Sequence, residues 1–315
     1  MKAVITKKYG SIDVLNLESV DQPAINEDEI LVEVRAASVN PLDWRIRTGE
    51  MKIMTGKTPP RILGSDYSGV VCETGKNITS YKKGDEVFGM IDIIKAKEGT
   101  YADFVKVKEN DICIKPNNMS FEEAASIPLV SLTSYTALAN IAKAKSGSRV
   151  LINGCAGGVG SAAVQIAKAL GCETAGVCST KNIEFAKKIG ADNVIDYKKD
   201  NVLEKNDVYD TIFDTVGNLA FSKSKRILKS DGLNVTTAVT IPAMIFSPIV
   251  NVFRSKKFKL VIVKPDANIL KTIKQMVEDE KIKAQIAKIF DLGQIRQAHT
   301  MSQNGGFSGK LVVKM

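Results

Sequence analysis

Val150-Leu151-Ile152-Asn153 is a short apolar run that gives way at once to Gly154-Cys155-Ala156-Gly157-Gly158-Val159-Gly160. Small apolar residues at helical spacing follow from Ala162 to Leu170, and Gly171 closes the stretch. The order predicts a buried strand, a bare turn and a helix that stops at Gly171. The first N–H groups of a helix lack partners within it and lie at the positive end of its dipole. An anion reaches them only if the preceding turn carries no side chains in its way. Gly157, Gly158 and Gly160, with Val159 between the last two, leave that approach open, which predicts a grip for the phosphate pair of a dinucleotide.

Residues beyond the turn bear on which dinucleotide binds. About twenty residues on, a second strand, Thr174 to Cys178, is expected to end beside the adenosine ribose, where proteins that prefer NAD place an acid on the 2′-hydroxyl. Cys178 holds that place, followed by Ser179, Thr180 and Lys181. With no carboxylate to repel a 2′-phosphate, two hydroxyls and an ammonium can bind one, so the expected cofactor is NADPH. The same residues also read as an ordinary N-cap, Ser179 and Thr180, before a helix from Asn182 to Ile189, with Lys181 as a solvated charge.

The remaining chemistry is sparse. The five cysteines, Cys72, Cys113, Cys155, Cys172 and Cys178, are scattered and never form a Cys-x-x-Cys pair, which argues against disulfides and a four-cysteine zinc lobe. Most lie in apolar strand-like runs, as small buried hydrophobes do. The single histidine, His299, lies in an expected helix and reads as a packed or solvated side chain. The net charge of +9 raises the question of nucleic acid. Its lysines stand singly or in pairs with no basic stripe, so nucleic acid is not expected and a field that attracts a polyanionic cofactor accounts for the charge. Met1-Lys2-Ala3-Val4-Ile5 enters strand-like sequence directly, and no run is long enough to cross a bilayer. A cytoplasmic protein with no membrane partner is the expectation.

A chain of 315 residues suits two domains. Residues 1–118 carry short alternating strands at Lys2–Thr6, Glu29–Ser38, Gly69–Thr74, Glu86–Met90, Ala102–Lys106 and Asp111–Ile114, the spacing of a compact β-barrel. Over 119–263, strands at Arg149–Asn153, Glu173–Cys178, Asn193–Tyr197, Thr211–Asp214, Leu233–Thr237 and Lys259–Val263 alternate with helical stretches. That pattern predicts an α/β domain, a doubly wound parallel sheet of the Rossmann type. Residues 264–315 change character again, with helices at Ala267–Glu280 and Leu292–Ser302 and strands at Ala284–Phe290 and Gly309–Lys314, and are expected to complete the first domain. The apolar stretch Thr240–Phe253, broken by Pro242 and Pro248, reads either as a lid or subunit contact or as a buried loop.

Three segments stand in order behind the barrel pattern: Val39-Asn40-Pro41-Leu42-Asp43-Trp44, the glycine turn, and Ile189-Gly190-Ala191-Asp192-Asn193-Val194-Ile195-Asp196-Tyr197. Together they resemble the medium-chain dehydrogenase/reductase superfamily, in its zinc-free quinone oxidoreductase branch, over essentially the whole length. The resemblance implies a GroES-like β-barrel catalytic domain beside the Rossmann domain. Zinc-dependent members of the superfamily carry a cysteine ligand at the position of Asn40 and Gly-His-Glu where this chain has Gly64-Ser65-Asp66, so no metal is expected.

The implied reaction is hydride transfer from NADPH to a small-molecule quinone, or to the activated C=C bond of an α,β-unsaturated carbonyl. The resemblance places Asn40 and Asp43 near nicotinamide and substrate, Thr133 near the nicotinamide half, and Tyr197 in the 2′-phosphate pocket with Ser179 and Lys181. Asn40-Pro41 also reads as a plain turn, and Tyr197 as the end of a strand. Family members carry a tyrosine shortly after the position of Gly49, where this chain has Glu50 and Met51; Tyr67 is the nearest candidate proton donor, or it packs under the barrel. Asp214 and Gly217 end a strand on the side of the sheet where ligands bind. Relatives pair through the edge strand of this sheet, here Lys259–Val263, which implies a homodimer. A different reading is a non-catalytic, NADPH-binding regulatory or RNA-binding relative, which would bind the cofactor without turnover.

Overall fold

The computed structural model describes residues 1–59, 61–204, 206, 208–238 and 255–315. Thr240–Phe253 lies outside the described residues. The chain divides into two compact units, Met1–Leu129 with Lys264–Glu278 and Ala284–Met315, and Val130–Val263 with Asp279–Lys283.

The first unit opens with β1 (Lys2–Thr6) and β2 (Leu15–Ser19), an antiparallel pair. β3 (Ile30–Val39), β4 (Asp66–Thr74), β5 (Glu86–Met90), β6 (Phe104–Val107) and β7 (Ile112–Ile114) come next. β3 is the spine: antiparallel to β4 and β6, it is ten residues long and buried along most of its length. Its valines and alanines suit that position, because branched and small side chains pack well on a sheet covered on both faces.

The second unit contains β8 (Arg149–Asn153), β9 (Glu173–Cys178), β10 (Asn193–Asp196), β11 (Tyr209–Asp214), β12 (Leu228–Thr236) and β13 (Lys257–Leu260). All pair in parallel, in the order β10-β9-β8-β11-β12-β13. The chain walks outward from β8 to β10, returns to the centre at β11 and walks out the other way, which is the doubly wound Rossmann order with its switch point between β8 and β11. Val150, Leu151, Ile152, Ile212 and Phe213 are buried at that centre, the continuous apolar runs that a parallel sheet requires.

The chain then returns to the first unit with β14 (Ile286–Asp291) and β15 (Lys310–Lys314). They complete a sheet of order β14-β15-β3-β4-β5-β7, with β6 on β3. Among the described residues no helix is long and apolar enough to cross a membrane.

Several bounds differ from those expected of the sequence, for local reasons. The first unit runs to Leu129 because helix Phe121–Ala125 packs on it, Ala125 meeting Ala36 of β3 and Val312 of β15. Asp279–Lys283 belongs to the second unit, where the Gln165 side chain takes the Lys283 N–H (2.8 Å) and donates to its carbonyl (3.2 Å). β12 starts at Leu228 rather than Leu233, since its polar opening is tied down by Lys229, whose ammonium meets Asp210 of β11 at 2.9 Å. β2 has no counterpart among the expected strands.

Gly160 explains how the glycine turn meets its helix, Gly158–Ala169. A Cβ built there would lie 2.1 Å from the Gly154 carbonyl oxygen, so the helix approaches the turn too closely for any side chain. We expect Gly160→Ala to cost about 1–3 kcal/mol, the range for overpacking a dense site. Urea denaturation measures it; stability equal to wild type would show that the close approach is not needed.

Candidate active site

In the first unit the site is built where β3 ends and a helix begins. Asn40 precedes helix Pro41–Thr48, and Pro41 occupies the first helical position, where its fixed φ and missing N–H cost nothing. Asp43, in the first turn, reaches back to accept the Asn40 backbone N–H at 2.7 Å, so its carboxylate caps the helix it belongs to. The Tyr101 hydroxyl donates to the same oxygen at 2.8 Å. Asp43 is fully buried, and burial pushes its carboxyl up to about 7 against those two hydrogen bonds and Lys310, which favour the anion.

The Asn40 side chain, 1% exposed, joins a second cluster. Its Nδ2 donates to Asp66 Oδ2 at 2.9 Å, and its Oδ1 accepts from Lys310 Nζ at 2.5 Å. Asp66 Oδ2 also accepts Ser38 Oγ (2.6 Å) and lies 3.3 Å from Lys310 Nζ, while Oδ1 accepts the Leu129 N–H at 2.7 Å. Burial lowers the Lys310 ammonium from its ordinary value, and Asp66 and Asp43 oppose that shift.

Tyr67 requires a correction. It succeeds Asp66 in β4, and neighbouring residues of a strand face opposite sides, so it turns away from this cluster into the apolar core. There it is wholly buried, its hydroxyl donates to the Asp111 carbonyl at 3.1 Å, and burial pushes that hydroxyl well above its usual value. It packs under the barrel and is not placed to transfer a proton. His299 is packed too, edge-on to Tyr101 with ring centres 5.7 Å apart, and burial, reinforced by Arg47, pushes its imidazole down to about 3.

In the second unit the glycine turn separates two kinds of glycine. Gly160 is required by the fold, but Gly157 is not. Its φ of −75° suits any residue, and a Cβ there would meet only the Gly154 carbonyl, at an ordinary 3.6 Å. An exposed residue directly before a helix N-terminus, bare without internal reason, fits an anion that approaches from outside. Gly158 and Val159 open the helix behind it. Thr133 is buried on helix Pro128–Tyr135, and the neighbouring Ser134 hydroxyl lies 3.0 Å from the Val159 carbonyl, which ties that segment to the turn.

At the ends of β9 and β10 the structure brings Ser179, Lys181 and Tyr197 to neighbouring strand ends, since Cys178 and Asp196 are register partners and Tyr197 N–H donates to the Cys178 carbonyl. Tyr197 is 55% exposed, and Lys198 Nζ stands 5.4 Å from the centre of its ring. The Thr180 hydroxyl, expected to help bind phosphate, instead donates to Asp196 at 2.6 Å, leaving Ser179 as the hydroxyl of that segment not tied to Asp196.

Asp214, at the end of β11, accepts the N–H groups of Val216, Gly217 and Leu219 at 3.2, 2.9 and 3.0 Å. Its carboxylate therefore shapes the loop after the strand. Gly217 has φ +83°, and a Cβ there would lie 2.4 Å from that of Ala238. The Asn153 amide bridges Asp214 and Asn218, both at 2.8 Å, at the switch point of the sheet.

Sequence reasoning overlooked Asp66, Lys310 and Asn153. Asp66 lies in Gly64-Ser65-Asp66, where the residue that differs from a zinc ligand is Ser65 and an acid before an apolar strand has no marked signature, and a lysine opening a strand reads as a solvated edge residue. Asn153, as a polar end to an apolar strand directly before the glycines, carried a usable signal.

Two family models match: "Alcohol dehydrogenase GroES-like domain" over residues 26–117 and "Zinc-binding dehydrogenase" over 189–313. The chain is 35% identical to the 2-methylene-furan-3-one reductase of Solanum lycopersicum, over 99% of this chain and 79% of that protein. It is 33% identical to the chloroplastic NADPH-dependent alkenal/one oxidoreductase of Arabidopsis thaliana, over the same shares. The solved quinone oxidoreductase of Coxiella burnetii superposes with a TM-score of 0.90 at 31% identity, covering 100% of this chain and 99% of that one. The chain belongs to the medium-chain dehydrogenase/reductase superfamily, as a quinone oxidoreductase-like protein. It is an oxidoreductase.

Asp43 makes stability depend on pH. Its folded-state value of about 7 lies above the usual 3.8, so between about pH 4 and 7 the folded chain holds a proton that the unfolded chain has lost. The stability this supplies is complete below about pH 4 and is lost as pH rises through 7. Relative to Asp43→Asn, which has no such proton, wild type should weaken across that window by on the order of 4 kcal/mol. Urea denaturation at a series of pH values measures the difference; one that stays flat would mean that Asp43 is ionised throughout.

Proposed function

We propose that the chain transfers hydride from NADPH to quinones or to the activated C=C bond of α,β-unsaturated carbonyls, without a metal. The observation that carries this reading is the bare Gly157 before helix Gly158–Ala169, close in the sheet to a strand end that presents Cys178, Ser179 and Lys181 in place of an acid. The Arabidopsis relative's name, an NADPH-dependent alkenal/one oxidoreductase, supports the same cofactor and substrate class.

Gly157, Gly158, Val159 and Gly160 would hold the pyrophosphate, with backbone N–H groups and the helix dipole as the positive partner. Ser179, Lys181 and Tyr197 would hold the 2′-phosphate, and Asp214 and Gly217 would set the loop beside the switch point. NADPH held there would supply hydride chemistry, reducing the C=C bond of an enone to the saturated carbonyl with a proton drawn from water at the α-carbon. Thr133 would line the nicotinamide end. In the first unit Asn40 would offer an amide to the carbonyl oxygen, where negative charge develops, and Asp43 accepts the Asn40 backbone N–H and so fixes its position.

The donor chemistry of the first unit does not suit a catalytic zinc. Where zinc relatives have a thiolate and an imidazole, this chain has Asn40 and Ser65, and the Asn40 oxygen faces the Lys310 ammonium, which would repel a divalent ion. Among the described residues no group of three or more His, Cys, Asp or Glu could hold a metal.

Loss of the reduced-nicotinamide absorbance on mixing the protein with NADPH and a panel of enals, enones and quinones tests the activity. Turnover is expected on members of the panel, and none on any member would overturn the reading. Replacing Ser179 and Lys181 with alanine should weaken NADPH binding by about tenfold to a hundredfold, the worth of charge-assisted hydrogen bonds, and leave NADH almost unchanged. Equal losses for both coenzymes would place the phosphate pocket elsewhere.

A further inference from the structure

We propose that Lys310 is a positioning residue that makes Asn40 a hydrogen-bond donor toward the substrate, by holding its amide with the oxygen on the ammonium and the nitrogen on Asp66. The inference rests on the reading that Asn40 serves the substrate's carbonyl oxygen, and adds how its polarity is set. The two ends of an asparagine amide have nearly the same shape, so shape alone does not decide which one is presented.

Here the partners decide. An ammonium only donates and an ionised carboxylate only accepts. Lys310 Nζ stands 2.5 Å from Oδ1, and Nδ2 stands 2.9 Å from Asp66 Oδ2. Turning the amide over would set its NH₂ against an ammonium and its oxygen against a carboxylate, and burial leaves little water to screen either contact. With Lys310 on the oxygen and Asp66 on one N–H, Asn40 keeps its second N–H as a donor, while the lone pair left on Oδ1 lies beside the ammonium. The cation on Oδ1 draws electrons from the amide and strengthens that donor, which suits an acceptor that gains negative charge during reaction.

The clamp is itself held. The Asp66 carboxylate is fixed by Ser38 Oγ and the Leu129 N–H. Lys310 is fixed by its backbone, whose N–H donates to the Gln285 carbonyl at 2.7 Å. The preceding Gly309 has φ +84°, and a Cβ there would lie 2.1 Å from the same carbonyl oxygen, so the chain enters β15 by one tight path that delivers Lys310 to Asn40.

A double-mutant cycle on enone turnover tests the proposal. Lys310→Met should lower kcat on the order of tenfold to a hundredfold with KM for NADPH unchanged, Asn40→Ala should do at least as much, and the double variant should lose no more than Asn40→Ala alone. Losses that multiply would overturn the clamp, because a purely structural lysine acts independently of Asn40. Lys310→Met leaves the Asp66 charge buried and can fail to fold, so Lys310→Met/Asp66→Asn, which removes both charges, is taken through the same cycle.

A second readout needs no substrate. In ¹⁵N-labelled protein the Asn40 side-chain amide protons should exchange slowly, with shifts that move and exchange that quickens by tenfold or more in the Lys310→Met/Asp66→Asn variant. An unchanged amide would overturn the clamp. Wild type that reduces no acceptor, with the amide response intact, would instead overturn the proposed activity and leave the clamp standing.

Discussion

One carboxylate governs the first unit. Asp66 opens β4 opposite Ser38 of β3, and Lys310 opens β15 on the other flank of β3, so three strands deliver their polar groups to one buried point. Taking a carboxylate and an ammonium out of water costs several kcal/mol per ion, and the arrangement stands because Ser38, Asn40, Leu129 and Lys310 together meet both Asp66 oxygens. The same requirement fixes register. A slip of β4 by one residue would carry Asp66 into the apolar face that Tyr67 now fills, leaving a charge with no partner and a phenol in the polar cluster. The position of Asn40 beside these groups is thus a consequence of strand pairing.

The second unit was largely legible because its information is local. β8 and β9 have the bounds expected from sequence, since a central parallel strand is a continuous apolar run and the glycines mark its end. β2 was missed because it lacks that signature: of its two leucines, Leu15 is buried and Leu17 is 48% exposed. In the site, Asn40 and Asp43 were visible within one motif three residues apart. The partner that orients Asn40 was not, because Lys310 lies 270 residues away and only the pairing of β15 with β3 brings the two together. Tyr67 shows the converse, a residue adjacent in sequence to a site residue that alternation along the strand sends elsewhere.

The charge on this cluster bears on which chemistry it can serve. Lys310 and Asp66 offset one another, and Asp43, held near 7 by burial, adds a negative charge only as pH rises past that value. On the proposed reading the substrate's oxygen then meets a polarised N–H in surroundings close to neutral, a gentler electrophile than a metal ion. Reducing an isolated ketone concentrates a full charge on one oxygen. Adding hydride to the far end of a conjugated system spreads the charge over oxygen and carbon, so a single strengthened donor has less to stabilise. On that reading, an amide clamped by an ammonium would match enones and quinones better than simple ketones, and an amide in place of a thiolate at position 40 would alter the substrates within reach as well as remove a ligand.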